Sequence, residues 1–164
     1  SSKEGEPMPE TMTDQWAAQV LEQHEHLREL IADLKSFLEV PRPKIGEKGA
    51  HTWSSELSKR LVTLHDELFR HFRFEEEGGM VEELSVAHPR FADRIDEVVS
   101  EHPQMLKAVR NIMVDALSYS EGEKPEDPQL RRRVIAVLDQ LAEHECKETD
   151  LIQRAEYRDT GAAD

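Results

Sequence analysis

Four histidines and two glutamates occupy positions where the surrounding pattern predicts apolar side chains. They are His24, His71, Glu75, His102, His144 and Glu148. Imidazole nitrogens and carboxylate oxygens are common protein ligands of iron, manganese and zinc, and the absence of cysteine from this set argues against a structural zinc site with thiolate ligands. We therefore interpret these six residues as candidate ligands of a metal centre.

The stretch HFRFEEEGG, residues 71–79, places three acidic residues at the end of a predicted helix. Acidic side chains there oppose the helix dipole, which favours cations at a helix C-terminus. His71 and Glu75 are four residues apart and share one helical face. A metal cation on that face would account for Glu75, whereas Glu76 and Glu77 lie off it and read as solvated surface acids.

Apolar residues recur along four segments in alternating steps of three and four, the pattern of helices packed in a bundle. The predicted helices cover about 13–40, 53–77, 89–119 and 128–158, with Thr52 capping the second and a short turn, irregular or helical, at 80–87. The fourth apolar seam reads Leu130, Val134, Val137, Leu141, His144, Glu148, Leu151 and Ala155. We predict an all-α, antiparallel up-down-up-down four-helix bundle over residues 13–161, a flexible tail at 1–12 and a C-terminal tail at 162–164.

The predicted heights of the six polar residues along their helices agree. Short connections make successive helices antiparallel, so inward side chains meet only at matching heights. With a rise of about 1.5 Å per residue, His24 lies roughly 22 Å from the end of the first helix and His71 roughly 27 Å from the start of the second. Similar agreement for His102 and His144 predicts that the six side chains converge.

Buried imidazoles and carboxylates cost several kcal/mol each unless a partner compensates them, and a metal ion would do so directly. Six side chains exceed the needs of one tetrahedral zinc ion. Two ions could share Glu75 and Glu148 as bridges, as in other helical bundles. We expect two iron ions per chain, with manganese or zinc as possible substitutes; His24 and His71 would bind one ion, and His102 and His144 the other.

The composition limits the possible partners. A hydrophobic fraction of 37% with 34% charged residues fits a helical domain. The net charge of −14 argues against binding to nucleic acid or to an anionic membrane surface. No apolar run approaches the length of a transmembrane helix. The single cysteine, Cys146, favours a reducing, cytoplasmic location, and the oligomeric state stays open.

The pattern of His24 followed by LREL, then HFRFEEEGG, EH at 101–102 and HECKETDL resembles the hemerythrin-like, cation-binding (HHE) bundle family. The resemblance covers roughly residues 14–161. It implies two non-haem irons held by His and carboxylate ligands from all four helices. Some members of that family carry O₂, and others sense oxygen, nitric oxide or iron.

The sequence departs from the oxygen carriers of that family at two positions. Their third helix supplies two histidines four residues apart, whereas here Leu106 stands four residues after His102. Their fourth helix places an aspartate five residues after its histidine, whereas here Glu148 comes four residues after His144. The missing ligand could be water or a replacement from Glu101, Glu145, Glu67 or His26.

These departures favour a protein that binds or senses O₂, nitric oxide, peroxide or iron over one that carries O₂. Two alternatives stay open. A di-iron oxidoreductase acting on peroxide or nitric oxide would use the same site, so the sequence does not decide whether the chain is an enzyme. A metal-free helical interaction module would instead pair the histidines with Glu75 and Glu148 by hydrogen bonds.

Overall fold

The computed structural model of the chain describes residues 12–41, 49–122 and 128–159. Its helices are α1 (Met12–Glu39), α2 (Ala50–Glu77), α3 (Met80–Ala87), α4 (Ala92–Ser120) and α5 (Leu130–Asp159), with one turn of 3₁₀ helix at Pro89–Phe91. These described residues contain no strand, which confirms the all-α class. Residues 1–11 of the predicted N-terminal tail and the predicted C-terminal tail at 162–164 lie outside the described residues, as do segments 42–48 and 123–127 of the predicted loops. Met12, the last residue of the predicted N-terminal tail, instead begins α1.

The start of α2 corrects one prediction. The helix begins at Ala50, so Thr52 lies inside its first turn and does not cap it. Gly49 precedes the helix with a φ of 103°, and its carbonyl accepts a 2.9 Å hydrogen bond from the Trp53 amide. A glycine adopts this left-handed conformation without the strain that a side chain would add, so the chain can enter the helix earlier.

The end of α2 lies where the two glycines predict it. The amide of Gly78 donates a 2.7 Å hydrogen bond to the Phe74 carbonyl oxygen. A Cβ at Gly78 would lie 2.3 Å from that oxygen, which is too close for any other residue. Gly79 follows with a φ of 105° and turns the chain into α3, the short helix that was predicted as a turn.

The long helices contact one another in a ring: α1 lies against α2 and α5, α2 against α4, and α4 against α5. Along α1, His24 meets Glu148 and Lys35 meets Asp139, so α1 and α5 run in opposite directions. The same reversal relates α1 to α2 and α4 to α5, through the pairs His24–His71, Phe37–Trp53, Glu101–Lys147 and Asp115–Arg133.

The apolar core consists of two clusters that the polar residues separate. The larger cluster includes Leu27 on α1 and Leu141 on α5, and the other includes Val20 on α1 and Leu151 on α5. On α1, α4 and α5 the site residues therefore lie between two apolar stretches, whereas on α2 they lie near its C-terminal end. On α5 the seam passes from Val134 to Leu138, which is fully buried, while Val137, the residue predicted for the seam, is only partly buried.

The short helix α3 closes the second cluster. Met80 and Leu84 are buried there, and the indole nitrogen of Trp16 donates a 2.6 Å hydrogen bond to Glu83. This bond ties α3 to α1. Among the described helices, none has the length and apolar character needed to cross a membrane.

Candidate metal centre

The structure brings all six predicted site residues together in the interior. Each of them is at most 4% exposed. They form two groups in which one potential ligand atom per residue lies within 4.8 Å of the others. The groups are His24, His71, Glu75 and Glu148, and His102, His144 and Glu148. This division matches the pairing of histidines predicted from the sequence, while the role of each residue as a metal ligand stays a prediction.

Glu148 belongs to both groups because its two oxygens face different histidines. Its Oε2 lies 2.9 Å from Nε2 of His24, and its Oε1 lies 3.0 Å from Nε2 of His102. Nε2 of His144, one helical turn earlier on α5, also contacts Oε1. A carboxylate that uses one oxygen towards each of two groups has the arrangement of a bridging ligand.

Glu75 is the second carboxylate of the site and is completely buried. Its Oε1 lies 2.8 Å from Nε2 of His71, yet neither carboxylate oxygen has a hydrogen bond of acceptable geometry. Burial, followed by the nearby charge of Glu148, raises the pKa of the Glu75 carboxyl well above its ordinary value. A bound cation would offset this desolvation and repulsion and favour the ionised carboxylate.

The pKa of Glu148 shifts in the opposite direction. Burial alone would raise it, but the neighbouring Glu75 carboxyl and the imidazoles of His102, His144 and His24 outweigh burial and hold the pKa of the Glu148 carboxyl well below its ordinary value. The pKa values of the two buried carboxyls are therefore shifted in opposite directions. The shift favours the ionised form of Glu148 and the protonated form of Glu75.

Two of the histidines have shifted pKa values. Burial lowers the pKa of His71, which favours the neutral imidazole that binds metals. Burial also acts against protonation of His144, but hydrogen bonds and charge from Glu148 and Glu101 outweigh it and raise the pKa of that imidazole. A raised pKa makes protonation compete more strongly with metal binding at His144.

All four imidazoles turn Nε2 towards the centre of the site, and three of them have an outer partner for Nδ1. His71 Nδ1 lies 2.7 Å from the amide oxygen of Gln23. His24 Nδ1 lies 3.0 Å from the hydroxyl of Thr149, and His144 Nδ1 lies 2.7 Å from a carboxylate oxygen of Glu101. The fourth, His102, has no hydrogen bond at its buried Nδ1, and Glu76 is 3.8 Å away.

The candidate replacement ligands lie in three different environments. Glu101 contacts the outer nitrogen of His144 instead of the centre of the site. Glu145 is buried near the first group, with its Oε1 2.5 Å from Nε of Arg28. His26 is 54% exposed and 3.9 Å from Glu67, so this pair lies at the surface. Among the described residues, neither metal-binding group includes any of the four.

Aromatic packing around the site was not predicted. Phe72 is 2% exposed and stacks on His102 with ring centroids 4.0 Å apart. Phe72 and His144 also make an edge-to-face contact. Leu106, at the position of the missing histidine, packs against the larger apolar cluster. The second group therefore has an apolar wall and one imidazole fewer than the oxygen carriers.

A small cavity adjoins the first group. It leaves about 10 Å³ for the centre of a water-sized molecule, which is room for about one water. Its walls are mostly apolar, and the residues that line it are His24, Leu27, Ile31, Leu68, His71, Phe72, Leu141, His144, Glu145 and Glu148. A small ligand in this cavity would lie beside imidazoles of both groups.

The site residues fit a metal ion on two grounds. The oxygens of Glu75 are buried without hydrogen-bond partners, and the set of four imidazoles and two carboxylates is one that iron, manganese or zinc accepts. Metal-ligating histidines usually donate their outer N–H to a carboxylate, carbonyl or water, and Gln23 and Glu101 provide such acceptors here. Fold and site together define a helical metal-binding protein.

The comparisons with known proteins agree with this class. The model of the hemerythrin HHE cation-binding domain matches residues 17–155. The chain therefore belongs to the hemerythrin HHE cation-binding family. Neither the comparison with curated proteins nor the comparison with solved structures gives a match to the chain.

Proposed function

We propose that the chain is a non-haem di-iron protein that binds or senses O₂, nitric oxide, peroxide or iron, and that it does not carry O₂. The observation that supports this most directly is the position of Glu148, whose two oxygens face separate groups of imidazoles. One ion would use His24 and His71, and the other His102 and His144. Glu148 would bridge them. Glu75, the second predicted bridge, lies only in the group of the first ion, so we assign it to that ion.

The two groups would offer their ions unequal numbers of protein ligands. The group containing Glu75 has four side chains, and the group containing His102 has three. Leu106 contributes no donor atom, so the second ion would keep more positions for water or a small ligand. Iron in such a site supplies reversible one-electron chemistry and an open coordination position.

The surrounding side chains would select ligands by size and charge. The cavity beside the first group admits about one water-sized molecule and has mainly apolar walls. Arg28 pairs with Glu145 at the edge of this region. This space limits a ligand to about the size of one water molecule, and its apolar walls disfavour a strongly hydrated ion.

The same proposal includes the architecture that holds the site. The reversed contacts along α1–α2, α1–α5 and α4–α5 support an antiparallel up-down-up-down arrangement of the four long helices. We also propose a cytoplasmic location, because the exposed free thiol of Cys146 suits a reducing compartment. The negative charge of the chain supports a partner other than nucleic acid or an anionic membrane.

Iron content and the electronic spectrum test the proposal. The protein is expressed with ample iron, and metal per chain is measured together with absorption in the reduced and oxidised states. We expect about two iron ions per chain and visible charge-transfer bands after oxidation. Glu75→Ala should lose metal, while Glu77→Ala, which changes a 66% exposed glutamate two residues away, should not. A colourless native protein without stoichiometric metal would rule the proposal out.

A further inference from the structure

The outer hydrogen bonds of the imidazoles are chemically unequal. His71 and His24 use uncharged partners, the Gln23 amide oxygen and the Thr149 hydroxyl. His144 alone among the four has a carboxylate oxygen within hydrogen-bonding distance of Nδ1; the carboxylate nearest Nδ1 of His102 is 3.8 Å away. A carboxylate acceptor binds an imidazole N–H more strongly than a neutral acceptor, so His144 is held by the strongest of these contacts.

Glu101 is itself held in place. Its Oε2 accepts from Nδ1 of His144 at 2.7 Å, and its Oε1 accepts from the ammonium group of Lys147 at 2.8 Å. Each carboxylate oxygen therefore has a separate partner, which fixes the plane of the group. Lys147 lies on α5 one turn from His144, and Glu101 comes from α4, so the contact also joins the two helices.

This arrangement lies on the outer side of the site and faces solvent. A polar depression of about 200 Å³ reaches His144 between α4 and α5. Its lining residues are Glu101, Gln104, Met105, Gln140, Glu143, His144 and Lys147. Lys147 is 39% exposed and Glu101 23% exposed, whereas His144 is nearly buried. The chain of contacts thus runs from the surface to one imidazole of the second group.

From this geometry we infer that Glu101 is a positioning residue: it fixes the ring of His144 with Nδ1–H outward and presents Nε2 to the metal. The inference rests on the proposed function, since Nε2 of His144 must be a ligand for the orientation to matter. In this role Glu101 orients a metal ligand, whereas the sequence left open that Glu101 itself replaces the missing ligand. The second group has only three side chains, so its affinity depends strongly on the orientation of each.

The chain offers a matched set of variants. Glu101→Ala removes the acceptor and the charge. Glu101→Gln keeps an acceptor oxygen, as Gln23 does for His71, but removes the charge. Glu143→Ala removes the same charge from the same depression, and Glu143 is exposed. Binding of cobalt(II) to each protein is followed by visible absorption, and the zinc-loaded proteins are studied by NMR of the imidazole N–H groups.

We expect Glu101→Ala to weaken at least one cobalt(II) binding step by about 10- to 100-fold, the usual effect of losing an outer partner of a ligand. Glu101→Gln should stay within about threefold of the native protein, because the acceptor oxygen remains. Glu143→Ala should match the native protein. In the zinc-loaded native protein and in Glu101→Gln, Nδ1–H of His144 should exchange slowly with water, and in Glu101→Ala this protection should disappear.

Any of three results would overturn this inference without affecting the proposed function. The first is an equal loss of cobalt(II) affinity in Glu101→Ala and Glu143→Ala, and the second is an equal loss in Glu101→Gln and Glu101→Ala. The third is rapid exchange of the His144 Nδ1–H with water in the zinc-loaded native protein. The last measurement needs no variant, so it stands even if Glu101→Ala does not fold. A native protein that binds neither cobalt(II) nor zinc would overturn the proposed function as well.

Discussion

Glu75 and Glu148 are two fully buried carboxyls that lie in the same group of residues, with one oxygen of each within 4.8 Å of the other. Burial and the charge of Glu148 raise the pKa of Glu75, whereas the surrounding imidazoles and the neighbouring Glu75 carboxyl lower the pKa of Glu148. Two carboxyls that close disfavour ionisation of both unless a cation offsets their repulsion. The pair therefore couples protonation of the apoprotein to metal binding.

The first prediction concerns pH and the metal-free protein. Because the folded-state pKa of Glu75 is raised above 4.5, the folded chain retains a proton that the unfolded chain releases. This stabilisation is complete below the unfolded pKa and is lost as pH rises towards the folded pKa. Relative to Glu75→Gln, which mimics the protonated carboxyl, the native protein should lose about 1.4 kcal/mol of unfolding free energy per pH unit in that window.

Urea denaturation of both proteins at several pH values measures this difference. Glu77→Gln is the control, because Glu77 is 66% exposed and its substitution should give a difference that does not change with pH. Parallel stability curves for the native protein and Glu75→Gln would show that Glu75 does not hold a proton in the apoprotein.

The second prediction separates the core from the site. Leu61 is completely buried in the larger apolar cluster, whereas the adjacent Val62 is 40% exposed. Leu61→Ala should lower the unfolding free energy by about 2–5 kcal/mol through lost burial and a residual cavity. Val62→Ala should change it by about 0.5 kcal/mol or less. Denaturation curves measure both, and folded Leu61→Ala should retain native metal content; loss of metal would show that the cluster and site are not separable.

The third prediction concerns the attachment of α3. Glu83→Ala removes the acceptor of the Trp16 indole N–H, and the indole is 4% exposed. A buried donor without a partner should cost about 1–3 kcal/mol of unfolding free energy. Glu82, the exposed neighbour in the same turn, provides the control variant Glu82→Ala. Equal stability of the two variants would mean that the bond to Trp16 contributes nothing.

The sequence predicts the inward residues well, because helical periodicity determines which face each side chain occupies. His24, His71, His102 and His144 all lie on the apolar seams, and all are buried. Periodicity does not fix the phase of a helix to within one residue, so Leu138 was missed in favour of Val137. Local turn chemistry was also misjudged at Gly49, whose left-handed backbone starts α2 before Thr52.

The outer partners of the histidines could not be found in the same way. Gln23, Thr149 and Glu101 lie beside the seams, where most polar residues face solvent, and their contacts depend on rotamers and on distances between helices. The stacking of Phe72 on His102 could not be predicted for the same reason. One signal was available: Gln23 and Thr149 each directly adjoin a predicted ligand in the sequence.

The most direct test of the account is the metal content of Glu148→Ala, because Glu148 alone is shared by both groups. Asp150→Ala, which changes a 54% exposed carboxylate on the same helix, is its control. After expression with ample iron, the native protein and Asp150→Ala should each contain about two iron ions per chain, and folded Glu148→Ala should contain almost none. A Glu148→Ala protein that retains two iron ions would contradict the account.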